Sequence, residues 1–145
     1  QLNFCRAILQ NSTFSTGSSF CVQCRDGVIE VLNSALTGGL TAGVYAQACQ
    51  FNIVNTSING AQDGLYLTNY SRGTLDALSG ANTQYGVNLR GGSSFFNVLN
   101  NSITGAGDVN VGNIGPQTWA NINTQVQAFT TDFNVDPSQY VTISS

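Results

Sequence analysis

Apolar and polar residues alternate along this chain in short bursts that recur about every 22 residues. One apolar column falls at Phe14, Leu36, Ile58, Leu78 and Ile103, with spacings of 22, 22, 20 and 25. Each member is followed by a polar residue and then, in most cases, by Gly, as in Leu36-Thr37-Gly38 and Ile103-Thr104-Gly105. A second column lies three residues earlier, at Asn11, Asn33, Asn55, Leu75 and Asn100. Apolar pairs at i and i+2 precede it: Ala7/Leu9, Ile29/Val31, Phe51/Ile53 and Phe96/Val98. The fourth repeat breaks here, with Ser71 and Gly73 at the apolar places, so a gap or a one-residue register shift is expected. A third column opens each repeat with Val22/Cys24, Val44/Ala46, Leu65/Leu67, Val87/Leu89 and Val109/Val111.

A spacing of two is strand periodicity, and Gly and Asn at fixed offsets mark sharp turns between strands. No helical period fits residues 2–111. The repeat is too short for a propeller blade and lacks a leucine-rich consensus. Three short strands per repeat predict an all-β chain, a right-handed parallel β-helix of about five coils over residues 1–112. One coil cannot bury its own apolar face. Stacked about 4.8 Å apart, five coils would enclose a core about 24 Å long. The Asn column resembles the asparagine ladder of pectate-lyase-like β-helices, with Leu75 interrupting it.

The two ends differ. After Gly115-Pro116, Trp119, Ile122, Val126 and Phe129 fall at i, i+3, i+7 and i+10, which predicts a short amphipathic helix. Val141 and Ile143 then alternate like a last strand, so 113–145 is expected to form a small C-terminal cap of the same domain. At the other end, Leu2 and Phe4 enter the first coil almost at once. That edge calls for a cover, either an upstream segment or a partner subunit.

Composition narrows the function. Apolar residues make up 41 % and charged residues only 8 %; Lys, His and Met are absent. The net charge of −3 offers nothing to neutralise a row of phosphates, which argues against nucleic-acid binding. No apolar run reaches the length of a membrane span, and no signal peptide is visible. The polar, uncharged balance suits a rigid extracellular or virion protein. Cys5, Cys21, Cys24 and Cys49 leave three readings open: small buried hydrophobes, a disulfide, or a metal site. The repeat puts Cys24 inward. No cofactor is implied.

Lacking Lys and His, the chain has no lyase-type base and no Ser-His triad. Two acids stand out as catalytic candidates. Asp63 and Asp108 each precede the first strand of a coil, two coils and about 9.6 Å apart, at the edge of the separation used by inverting glycosidases. Both also stand beside Gly in turns, where Asp is favoured for backbone reasons. The binding candidates are Tyr45, Tyr66 and Tyr70, of which Tyr45 and Tyr66 should point outward on adjacent coils. Of four Asn-X-Ser/Thr sequons, three fall on the ladder column, which leaves Asn69 as the glycosylation candidate. A face of small residues, Thr13/Ser15, Ala35/Thr37, Ser57/Asn59, Ala77/Ser79 and Ser102/Thr104, suits subunit packing, plain solvent exposure or ice binding.

The segment Tyr85-Gly86-Val87-Asn88-Leu89-Arg90-Gly91-Gly92-Ser93-Ser94, running into Phe95-Phe96-Asn97-Val98-Leu99-Asn100, resembles coils of β-helical surface proteins of tailed bacteriophages. These include capsid decoration knobs, tailspikes and tail-fibre tips. The resemblance covers roughly residues 20–112 and implies a non-enzymatic structural protein on the virion surface. It implies a homotrimeric knob or spike tip, touching other capsid or tail proteins, that decorates the capsid or contacts a host-surface glycan. A polysaccharide-binding or -cleaving enzyme and an ice-binding or cell-surface adhesin are the alternatives.

Overall fold

The computed structural model describes residues 2–3, 6–90, 93–97, 102–105, 107–111, 119–123, 133–135 and 140–144, with side chains described over 6–90 and at 93, 103 and 105. Strands of one coil do not pair with each other. Each pairs in parallel with the equivalent strand of the next coil, which makes the chain an all-β parallel solenoid. Residues 6–90 make about four of its turns, and no helix occurs among the described residues.

Three sheets form the walls. The first contains Leu2–Asn3, Phe20–Arg25, Ala42–Gln47, Asp63–Thr68, Tyr85–Leu89, Gly107–Val111 and Phe133–Val135. The second runs from Arg6–Gln10 through Val28–Leu32, Gln50–Val54, Arg72–Asp76 and Ser94–Asn97 to Trp119–Asn123 and Tyr140–Ser144. The third stacks Thr13–Thr16, Ala35–Gly38, Ser57–Asn59, Ser79–Ala81 and Ser102–Thr104. The core is the column the three walls enclose: Cys24, Val31, Leu36, Val44, Ile53, Ile58, Leu65, Leu67 and Leu89 are wholly shielded from solvent.

The opening column is in register throughout. Val22 pairs with Val44, Val44 with Leu65, Leu65 with Val87 and Val87 with Val109. The fourth coil differs from the sequence expectation. Leu75 pairs with Ile53, not with the Asn column, and Gly73 pairs with Phe51. There is thus no gap and no one-residue slip; the apolar pair of this coil is Gly73/Leu75, two residues on from Ser71/Gly73. The missing side chain at Gly73 is replaced from below, because a Cβ there would run into the Phe51 ring. In the third sheet Ser79 pairs with Ser57 and Gly80 with Ile103. Leu78 therefore enters the core one step before the strand, at the level of Thr56, and remains fully buried. One coil further, Phe95 and not Phe96 faces Gly73 in register, and Val98 lies outside the described residues.

The corners explain the Asn column. Asn11, Asn33, Asn55 and Ala77 have φ of 50°, 49°, 46° and 51°, the left-handed conformation that Asn tolerates better than most L-residues. Their N–H groups keep the ladder going: Asn11 donates to Leu32 O at 3.0 Å, Asn33 to Val54 O at 3.0 Å and Asn55 to Asp76 O at 2.9 Å. The Asn55 amide also donates to Asn33 Oδ1 at 3.0 Å. Ala77, not Leu75, is the residue that breaks the asparagine ladder. A second corner repeats the device with Asp26, Ala48 and Asn69 at φ of 53°, 54° and 51°.

The predicted C-terminal helix is not formed at its start. Trp119–Asn123 is a strand, paired in parallel with Tyr140–Ser144, so Ile122 faces Ile143 in register. Two apolar residues three apart are compatible with either state in so short a window, and continuing the sheet satisfies N–H and C=O groups of the strand edge that a helix there would leave open. Val126 and Phe129 lie outside the described residues. The expected last strand, carrying Val141 and Ile143, is present.

Cys24 and Cys49 are buried and Cys21 is half-buried, and Cys5 lies outside the described residues. Among the described residues no three metal-ligating side chains come together.

Candidate functional site on the outer face of the first sheet

The first sheet departs from simple alternation, and this departure builds the site. Val44 and Ala46 face the core, so Tyr45 between them faces out. Gly43 also faces the core: a Cβ there would strike the Ile58 side chain. Two successive positions thus point inward, as at a bulge, and the residue before them is thrown to the outer face. Phe20 is the visible case. It pairs with Ala42, yet its ring leans three positions along the next strand to lie 4.7 Å from the Tyr45 ring. Tyr45 pairs with Tyr66, and their rings stack at 5.5 Å with 24° between planes. Stacked or tilted rings at these separations attract beyond their area of burial. The Tyr45 hydroxyl donates to Gln47 Oε1 at 3.4 Å. Partial burial raises the Tyr45 hydroxyl above its ordinary pKa, with the Arg25 charge opposing and Tyr66 adding to the rise.

Asp63 repeats the lean of Phe20. It pairs with Tyr85, and its carboxylate accepts from Asn88 Nδ2, three positions along that strand, at 2.7 Å. Arg90 Nε in turn donates to Asn88 Oδ1 at 2.9 Å. Asp63 is therefore neither in a turn nor exposed. It lies in a strand at 3 % exposure, and among the described residues its Oδ1 has no hydrogen-bond partner. Burial pushes its carboxyl pKa up; the Asn88 bond, the Tyr85 N–H and the Arg90 charge hold it down.

Asp108 does not share the register column of Asp63. Tyr85 pairs with Gly107, which sets Asp108 level with Gly86 and one step beyond Asp63; its side chain lies outside the described residues. Tyr70 is also apart from the ring stack. It stands in the turn after Thr68 with φ of 62° and is exposed. Asn69, beside it, is exposed.

The small-residue face exists with one shift in the fourth coil. Thr13, Ala35, Ser57, Ser79 and Ser102 align across the third sheet, and its fourth pair is Ser79/Ala81 in place of Ala77/Ser79. A cleft of about 460 Å³ runs along the adjoining corner past Asn11, Asn33 and Asn55. Its polar groups serve the fold: Ser34 Oγ donates to Leu32 O at 2.8 Å and Thr56 Oγ1 to Val54 O at 2.9 Å. Neither region gathers charge or rings. The first sheet does.

Compared with family models, curated proteins and solved structures, the chain matches none. Sequence reasoning singled out Tyr45, Tyr66 and Asp63 but missed Phe20, Asn88 and Arg90. Strict alternation would turn Phe20 to the same side as Val22. The signal that could have corrected this is the recurrence of Gly43, Gly64 and Gly86 at one register position, where a side chain would invade the core.

Proposed function

We propose that this chain is a non-enzymatic virion surface protein, a right-handed β-helical knob or spike tip that assembles as a homotrimer and contacts a host-surface glycan. Residues 113–145 close its C-terminal end. The observation that carries the glycan contact is the outward stack of Phe20, Tyr45 and Tyr66, flanked by the amides of Gln23 and Gln47. Aromatic rings offer an apolar surface to the C–H faces of a sugar, and amides beside them serve its hydroxyls. This favours host contact over pure capsid decoration. A rigid, sparsely charged solenoid suits the outside of a particle, and the small-residue face of the third sheet suits close packing between subunits.

The non-enzymatic reading is supported by the burial of Asp63 and by the register offset of Asp108, since hydrolysis asks for two carboxylates flanking one bond. The test is a glycan-binding measurement on wild type, Tyr45→Ala and Tyr66→Ala. Binding lost in both variants without release of reducing ends supports the proposal. Unchanged binding in both, or cleavage of a bound glycan, sinks it. Light scattering on the purified protein tests the trimer separately.

A further inference from the structure

Two arginines bracket the ring stack, and both are held by the same device. Arg25 pairs with Gln47, Gln47 with Thr68, and Arg90 N–H donates to Leu67 O at 2.8 Å, which continues the register past Thr68. Arg25 and Arg90 thus stand at the two ends of one outer column beside the tyrosines, three strand spacings or about 14 Å apart. Each is pinned by the amide two residues before it. Arg90 Nε donates to Asn88 Oδ1 at 2.9 Å. With its carboxamide oxygen turned toward the guanidinium, Gln23 accepts from Arg25 Nε at 3.3 Å and Nη2 at 3.1 Å. Among the described residues the ion pair is Arg6 with Glu30, on the second sheet, and within that set no carboxylate contacts Arg25 or Arg90. Pinning lowers the entropy lost when a guanidinium grips a ligand, and the planar fork with free N–H groups suits a carboxylate or sulfate. The acids nearby are Asp26, in the turn after Arg25, and Asp63, buried behind Asn88.

We infer that this face recognises an acidic saccharide, its sugar rings against Tyr45 and Tyr66 and its acid groups on Arg25 and Arg90. The inference rests on the glycan reading above and adds the charge of the ligand. It departs from the acidic balance of the whole chain, because both arginines lie on the face that carries the rings.

The test compares an oligogalacturonate with a neutral malto-oligosaccharide of equal length, by calorimetry, on wild type, Arg25→Gln, Arg90→Gln and Arg90→Lys. The expected result is preference for the oligogalacturonate, weakened by salt. Arg25→Gln should lose about tenfold to a hundredfold in affinity for it, as expected for a charge-assisted bond, with no change for the neutral chain. Arg90→Lys should retain more affinity than Arg90→Gln, which separates charge from the support Arg90 gives Asn88. Equal affinity for both sugars that is lost in Tyr45→Ala would overturn the acidic preference and leave the glycan reading standing. Binding of neither sugar overturns both. Tighter binding of a single-stranded oligothymidylate than of oligogalacturonate would also overturn the inference, since rings and arginines serve that polymer too.

Discussion

Substituting two residues of the fourth coil, Ala77 and Leu75, one at a time tests the register on which the whole fold depends. Ala77 holds φ of 51° at the corner where the preceding coils place Asn11, Asn33 and Asn55. An L-residue in this conformation costs roughly 1–2 kcal/mol, less for Asn. Ala77→Asn relieves part of that cost. It also sets an amide above Asn55, in the position from which Asn55 donates to Asn33 at 3.0 Å. One hydrogen bond adds about 0.5–1.5 kcal/mol. Less the entropy of ordering the new side chain, the expected gain is about 1–2 kcal/mol, or about 3–7 °C in unfolding midpoint for a chain of this size. Leu75→Asn should do the reverse. Leu75 is 1 % exposed in the core, so the substitution removes about 1.5–3 kcal/mol of apolar burial and leaves an amide without assured partners, for about 3–5 kcal/mol in all. Thermal and urea unfolding followed by circular dichroism read both changes. A stabilised or neutral Leu75→Asn, or a clearly destabilised Ala77→Asn, would refute the register and with it the two-residue shift of the fourth coil.

Three further outcomes follow from particular contacts. Because burial raises the Asp63 carboxyl above its unfolded value, its favourable contribution is full below the ordinary carboxylate range and is lost as pH rises through the raised folded value. Asp63→Asn should therefore gain stability relative to wild type as pH rises from below the ordinary carboxylate range; a difference that does not change with pH, measured by chemical unfolding, contradicts the burial. Gly64→Ala puts a Cβ within 2.6 Å of Gly86 O and against Ile103 and Asn82, so a loss of about 1–3 kcal/mol and a weaker near-ultraviolet tyrosine signal are expected; a variant as stable as wild type would mean that this position does not face the core. The Arg6–Glu30 pair, at 2.6 Å between coils with Arg6 largely exposed, should be worth less than about 1 kcal/mol in a double-mutant cycle; a coupling well above that would mark an edge better ordered than its exposure implies.

Much of the coil was legible because a solenoid writes its core in one dimension. Val22, Val44, Leu65, Val87 and Val109 stack at nearly constant spacing, so periodicity alone located the first sheet. The same method failed where glycine carried the register. Gly73 and Gly80 have no apolar side chain to count, and so Leu75 and Leu78 were assigned to the wrong columns. The C-terminal segment failed for another reason: Trp119 and Ile122 fit a helical stripe, but the growing sheet offers this segment backbone partners in strands on both sides. At the site, the tyrosines were visible from alternation, whereas Phe20 and Asn88 required knowing how far a side chain leans.

By itself, then, the sequence determined the wall-forming strands, the coil length and the left-handed Asn corners, because each follows from local alternation and backbone preference repeated every coil. Tertiary structure decided the rest. Only stacking shows that two successive residues of the first sheet face the core, since that depends on whether Ile58 and Ile103 leave room at Gly43 and Gly64. That one departure from alternation brings Phe20 onto Tyr45 and carries Asp63 to Asn88, residues 25 apart in the chain and adjacent only once the coils lie one above another.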